Sequence, residues 1–219
     1  MGQRRSGMLF FASPALSLAA LGLPIAVILP PLYAELGLSL TAVGTVFMLA
    51  RFFDVFTDPL FGILGDRLQT RWGRRKPAIA LGAPILLAGV YFLFLPGVQV
   101  SESGLLVALL VLYSGWTLMT IAHTAWASEL SGDYDRRSEI MSTLQAAGLI
   151  GAVCVMSIPT IVDWIYDQSD MRLRAQYMGW FVLITLPIFT LFALYSIREA
   201  VVVPSIRINW RESWASFRS

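Results

Sequence analysis

The sequence predicts an all-α membrane protein of about six transmembrane helices. Three observations carry that reading. Of 219 residues, 57% are hydrophobic and 14% charged, against about 25% charged in an ordinary soluble domain. A water-soluble fold of this size has too much surface to hide such an apolar load. The charges sit in short clusters, separated by mostly apolar runs of about 18 or more residues, the length that crosses hydrocarbon. The Lys and Arg residues gather in alternate loops, as the sidedness of membrane insertion requires.

Spans fall at 9–33, 40–65, 78–96, 104–129, 140–162 and 177–197. Each holds about 20 or more residues, enough for roughly 30 Å at about 1.5 Å per residue. They must be helical, because lipid offers no partner to backbone N–H and C=O groups. Arg4 and Arg5 ahead of the first span resemble a signal-peptide n-region. The apolar run from Met8 to Tyr33 is too long for an h-region, so it reads as a true span. Pro14, Pro24, Pro30 and Pro31 should kink that span. In the fifth span Gly148, Gly151 and Ala152 suggest close helix contact. Cys154 reads as a small apolar residue, and with a single Cys and a single His the chain offers neither a disulfide nor a zinc cluster.

Orientation follows from the loop charges. Arg4, Arg5, Arg67, Arg71, Arg74, Arg75, Lys76, Arg136, Arg137, Arg198, Arg207, Arg211 and Arg218 fall on one side, and only Arg172 and Arg174 on the other. The expectation is a multi-pass cell-membrane protein with both termini cytoplasmic. Residues 1–198 form the six-helix bundle. Residues 199–219 read as a cytoplasmic amphipathic tail or the start of a linker, with Ile206, Trp210, Trp214 and Phe217 at helical spacing among arginines. The net charge of +2 and the lack of a basic, aromatic-interleaved stripe argue against nucleic-acid binding. Membrane lipid and a small-molecule solute are the expected partners.

The chemistry concentrates in the second span. Arg51, Asp54 and Asp58 fall within about 60° of arc on one helical face. Charges at that depth cost several kcal/mol, so they face a cavity and one another. Two carboxylates one turn apart suit Na⁺, which wants hard oxygen ligands, or share a proton, which suits H⁺ coupling. A structural Arg–Asp pair needs only one Asp. In the fourth span, Thr120 and Thr124 flank His123, which places His123 and Trp126 as candidates for touching a solute. After the second span, Gly62 and Gly65 allow close packing, and Asp66 can pair with a nearby Arg. The basic run through Arg71 to Lys76 anchors the loop beside anionic lipid or forms a conformational latch. No nucleophile–base pair, metal cluster or phosphate loop is visible, so no catalytic residue, enzyme activity or cofactor is expected, a coupling Na⁺ or H⁺ aside.

The segment Arg51-x-x-Asp54-x-x-x-Asp58-Pro59-x-x-Gly62, followed by Asp66-Arg67-x-x-x-Arg71-Trp72-Gly73-Arg74-Arg75-x-Pro77, resembles the glycoside–pentoside–hexuronide:cation symporters. Its loop is similar to the one between spans 2 and 3 of major facilitator transporters generally. A weaker likeness covers nearly the whole chain, including Pro30 to Glu35 and His123 to Ser131. The resemblance implies one half of a major-facilitator-type fold. It implies that Asp54, Thr57, Asp58 and Thr120 occupy cation-site positions with Arg51 as charge partner. It also implies that Gly62, Asp66, Arg67, Gly73, Arg74 and Arg75 belong to a cytoplasmic gate. Sugar-site charges of the melibiose carriers do not carry over, since apolar residues surround Leu18, and His123 and Leu144 or Gln145 replace charged positions.

Such carriers consist of two six-helix bundles with the solute between them. This chain supplies one, so a second six-helix half is expected: the rest of a truncated chain, a separate chain (the favoured reading) or a second copy. The reading is cation-coupled secondary transport of a small solute, a sugar or glycoside among the candidates. The competing class is a non-transporting membrane subunit or assembly factor that keeps the fold, for which coupling carboxylates would be superfluous.

Overall fold

A computed structural model describes residues 2–67, 70, 73–97, 99–167 and 170–196. The side chains of 2–6, Leu64, Asp66 and Arg67 fall outside that description, as does the tail 199–219, so the amphipathic-tail reading lies beyond the described residues. Among the described residues are seven helices: α1 (Gly2–Val27), α2 (Leu29–Glu35), α3 (Leu40–Arg67), α4 (Lys76–Phe94), α5 (Glu102–Glu129), α6 (Tyr134–Tyr166) and α7 (Met171–Ser196). All but α2 are long and apolar enough to cross a membrane.

The first span is interrupted at a single residue. Pro30 and Pro31 carry no N–H for the carbonyls of Ala26 and Val27, so two ladder bonds are missing between α1 and α2, while Ile28 keeps a helical backbone, donates to the Pro24 carbonyl and accepts from the Leu32 amide. Tyr33 then fastens α2 to the far end of α4, donating to the Leu93 carbonyl at 3.3 Å. Gly37, at φ 104°, turns the chain into α3. Polar caps set other boundaries: Ser101 accepts from the Gly104 amide at the start of α5, and Asp133 from the Arg136 amide at the start of α6.

Missing side chains decide the packing. A Cβ at Gly115 would stand 2.3 Å from the Leu86 amide nitrogen, and one at Gly89 would stand 2.4 Å from the Leu112 Cα. Helices α4 and α5 therefore meet backbone to backbone. At Gly151 a Cβ would stand 2.0 Å from the Leu16 carbonyl oxygen, so the small residues of the fifth span do seat α1 on α6. At Gly62 and Gly65 nothing described lies within 4 Å of an added Cβ, on the least embedded of the six long helices.

An ion pair and a second cation brace each end of the bundle. At one end Arg75, 6% exposed, grips Glu129 Oε1 through Nε at 3.2 Å and Nη2 at 2.6 Å. That pair ties the start of α4 to the end of α5. Lys76 donates to the Leu194 carbonyl at 2.8 Å and lies over the Trp126 ring. At the other end Arg174 pairs with Asp163 at 2.8 Å, and Arg172 donates to the Pro96 carbonyl.

Candidate functional site

Helix α3 lays Arg51, Asp54 and Asp58 along the side that meets α5. Across from them α5 presents Tyr113, Trp116, Thr117, Thr120 and Ile121, and the two helices enclose an open cavity of about 260 Å³. The charged stripe thus borders a polar groove, as hydrocarbon would demand.

Each carboxylate has one oxygen engaged. Asp54 Oδ2 accepts from Arg51 Nη1 at 3.4 Å, and the Arg51 guanidinium lies 4.7 Å from the centre of the Tyr113 ring. Asp58 Oδ1 accepts from Thr117 Oγ1 at 2.9 Å. Asp54 Oδ1, Thr120 Oγ1 and Tyr113 OH are buried without a hydrogen-bond partner, and all three residues line the cavity. Buried polar atoms are ordinarily satisfied, so this wall of oxygens is short of a positively charged or hydrogen-bonding guest. Among the described residues no cluster of three or more His, Cys, Asp or Glu could hold a metal ion, so the oxygen set is two carboxylates helped by hydroxyls. Hard oxygens of that kind fit Na⁺, and an ionisable pair equally fits a proton.

The remaining sequence-predicted residues fall elsewhere. Thr57 is 8% exposed and turns its hydroxyl back onto the Phe53 carbonyl at 3.0 Å, away from the cavity wall. His123 is 2% exposed, with Nε2 2.9 Å from the Phe11 carbonyl, and Trp126 packs edge-on against the Phe11 ring. Both lie between α1 and α5, not on the cavity wall, which corrects the expectation that they face a solute. The physical reason is position on the helix: at about 100° per residue Trp126 stands roughly 180° around α5 from Thr117, and His123 shares the azimuth of Trp116 but lies about two turns further along. Tyr113, Trp116 and Thr117 were not singled out from the sequence. The signal was present, since 113, 117 and 120 share a helical face with Thr124.

The gate residues divide in the same way. Gly73 adopts φ 115° and exchanges backbone hydrogen bonds with Thr70 at 3.0 and 3.1 Å, a turn that favours glycine. Arg75 is held in the ion pair with Glu129, a partner the sequence did not reveal. Arg74 lies partly buried in the same loop. The side chains of Asp66 and Arg67 lie outside the described residues.

Comparison with known proteins adds a family. A family model described as MFS/sugar transport protein matches residues 10–219. The inner membrane symporter YicJ of Escherichia coli is 25% identical over 187 residues, covering 78% of this chain and 39% of that protein. The putative glycoside/cation symporter YagG of Escherichia coli is 30% identical over 139 residues, 61% of this chain and 30% of the relative. The isoprimeverose transporter of Lactiplantibacillus pentosus is 28% identical over 127 residues, 56% of this chain and 26% of the relative. The matched stretches are thus well under half of the relatives' own lengths.

Proposed function

The chain belongs to the MFS/sugar transport protein family, among the glycoside–pentoside–hexuronide symporters and not among enzymes, and from that premise we propose that it forms one six-helix bundle of an alternating-access carrier that couples a cation to the movement of a small solute. The observation that carries the proposal is the cavity between α3 and α5. Two carboxylates one turn apart meet two hydroxyls there, with Asp54 Oδ1 and Thr120 Oγ1 awaiting a partner.

The cation, Na⁺ or H⁺, binds between Asp54 and Asp58 with Thr120 on the opposite wall. Arg51, paired with Asp54 and lying over Tyr113, balances the carboxylate charge while the site is empty. The solute is a sugar or glycoside, as its likeness to an isoprimeverose transporter and to a putative glycoside/cation symporter suggests. It lies between this bundle and a second one, because α3 and α5 supply a single wall. Both termini face the cytoplasm, on the side where Arg74, Arg75 and Lys76 gather. Rocking of the two bundles exposes the shared site to each side in turn.

The test is Asp58→Asn in membranes containing the chain and its second bundle, with solute uptake measured against an imposed Na⁺ or proton gradient. Loss of the gradient-driven component is expected. Unchanged coupling in the variant would defeat the cation role.

A further inference from the structure

Hydroxyls on the long helices mostly bond to their own backbone. Thr45, Thr57, Ser114, Thr124, Thr143, Ser157 and Thr185 each donate to the carbonyl four residues earlier. This back-bonding is the ordinary resting place of a helical hydroxyl. Thr117 departs from it. Its hydroxyl leaves α5 and reaches 2.9 Å across the groove to Asp58 Oδ1 on α3.

A hydroxyl donating to a carboxylate makes a charge-assisted bond, of the stronger kind. It also completes a symmetry between the two carboxylates. Arg51 holds Oδ2 of Asp54, and Thr117 holds Oδ1 of Asp58. Among the described residues, Asp54 Oδ1 is buried without a partner, and Asp58 Oδ2, on the exposed side of the groove, makes no hydrogen bond. The Thr117 oxygen keeps lone pairs of its own after donating. Thr117 therefore does for Asp58 what Arg51 does for Asp54, with one difference: it acts from another helix.

We propose that Thr117 is the positioning residue for Asp58, fixing the carboxylate so that its free oxygen faces the ion and tying α3 to α5 at the cation site. This rests on the cation-site reading above. Removing the hydroxyl leaves Asp58 free to rotate into the open side of the groove, so the ion meets a disordered ligand and binds more weakly. The shape of Thr117 is immaterial to this role; its hydroxyl is what matters.

The test uses the purified full chain in detergent, with thermal unfolding followed in NaCl against choline chloride and, separately, across pH. Wild type should gain stability with one of the two ions, since a ligand of the folded state protects it, and Asp58→Asn should remove that response. Thr117→Val should then need about tenfold more Na⁺, or a shift of about one pH unit, for half-maximal protection, the worth of one hydrogen bond to a charge. Thr117→Ser should stay within about threefold of wild type, because it keeps the donor. In the Asp58→Asn background Thr117→Val should add nothing. An unchanged midpoint in Thr117→Val overturns the proposal while leaving the cation site standing, and so does an equal loss in Ser and Val. If neither ion protects wild type, or Asp58→Asn responds as wild type does, the site reading itself fails and the proposal with it. Should Thr117→Val not accumulate, Thr117→Ala and Thr117→Ser give the same contrast.

Discussion

Toward α4, helix α5 packs Gly115 against Leu86 and takes Gly82 and Gly89 into its own surface, with no polar atom at the contact points apart from backbone. Toward α3, the same helix turns Tyr113, Thr117 and Thr120 to an open cavity lined by three charged groups. Burial follows suit: half of the α4 and α5 spans is enclosed within the chain, against 17% of the α3 span. The dry seam is close packing, which tolerates little change in volume. The wet seam carries, across its cavity, one hydroxyl–carboxylate bond and one guanidinium on an aromatic face. The difference teaches that one helix can be anchored firmly on one side so that its other side is free to exchange partners with an ion.

Mutation can break this contrast or sharpen it. The largest effect is expected at the dry seam. Gly115→Leu drives a side chain into the Leu86 backbone and should cost about 3 kcal/mol or more. Unfolding in detergent, or simple absence of folded protein, reports it; a stable Gly115→Leu would show that α4 and α5 are not rigidly joined. Next is the clasp at the end of that seam. Arg75→Ala leaves Glu129 without its described partner and should cost about 2 kcal/mol, less than the ~3–5 of a fully buried pair because Glu129 is partly solvated. Thermal melts against wild type measure it. At the wet seam the pattern should invert. Thr120→Val removes a buried hydroxyl that has no partner, so stability should move by no more than about 0.5 kcal/mol. Cation-dependent protection should weaken all the same, and a variant that loses stability but keeps its ion response would contradict the division of labour. Smallest of all, Phe56→Ala, on the outward face of α3 and 75% exposed, should leave the isolated chain within about 0.5 kcal/mol of wild type by the same melt.

The spans were legible because the solvent fixes their length and their hydrogen bonding; each observed helix overlaps its expected range within a few residues at most ends. The interruption at Ile28 was legible from Pro30 and Pro31, which together remove two adjacent ladder bonds. The charged stripe of α3 was legible too, because Arg51, Asp54 and Asp58 share an arc on a single helix and need no knowledge of neighbours. What eluded sequence reasoning is relative rotation between helices. Thr120 and His123 are three residues apart and equally polar, yet one faces the cavity and the other the carbonyl of Phe11. Nothing in α5 alone states which side meets α3. The glycines show it in retrospect: Gly115 marks the side that meets α4, and the residues turned away from it are the ones that line the groove.

The interruption at Ile28 has a mechanical meaning for the carrier proposed here. An unbroken ladder would pass any tilt of one end straight to the other. Two ladder bonds are missing at Pro30 and Pro31, and the halves have different anchors: Gly2–Val27 is seated on α6 at Gly151, while Leu29–Glu35 is fastened to the tip of α4 through Tyr33. The stretch between those anchors is the softest part of the span, the place where bending costs least.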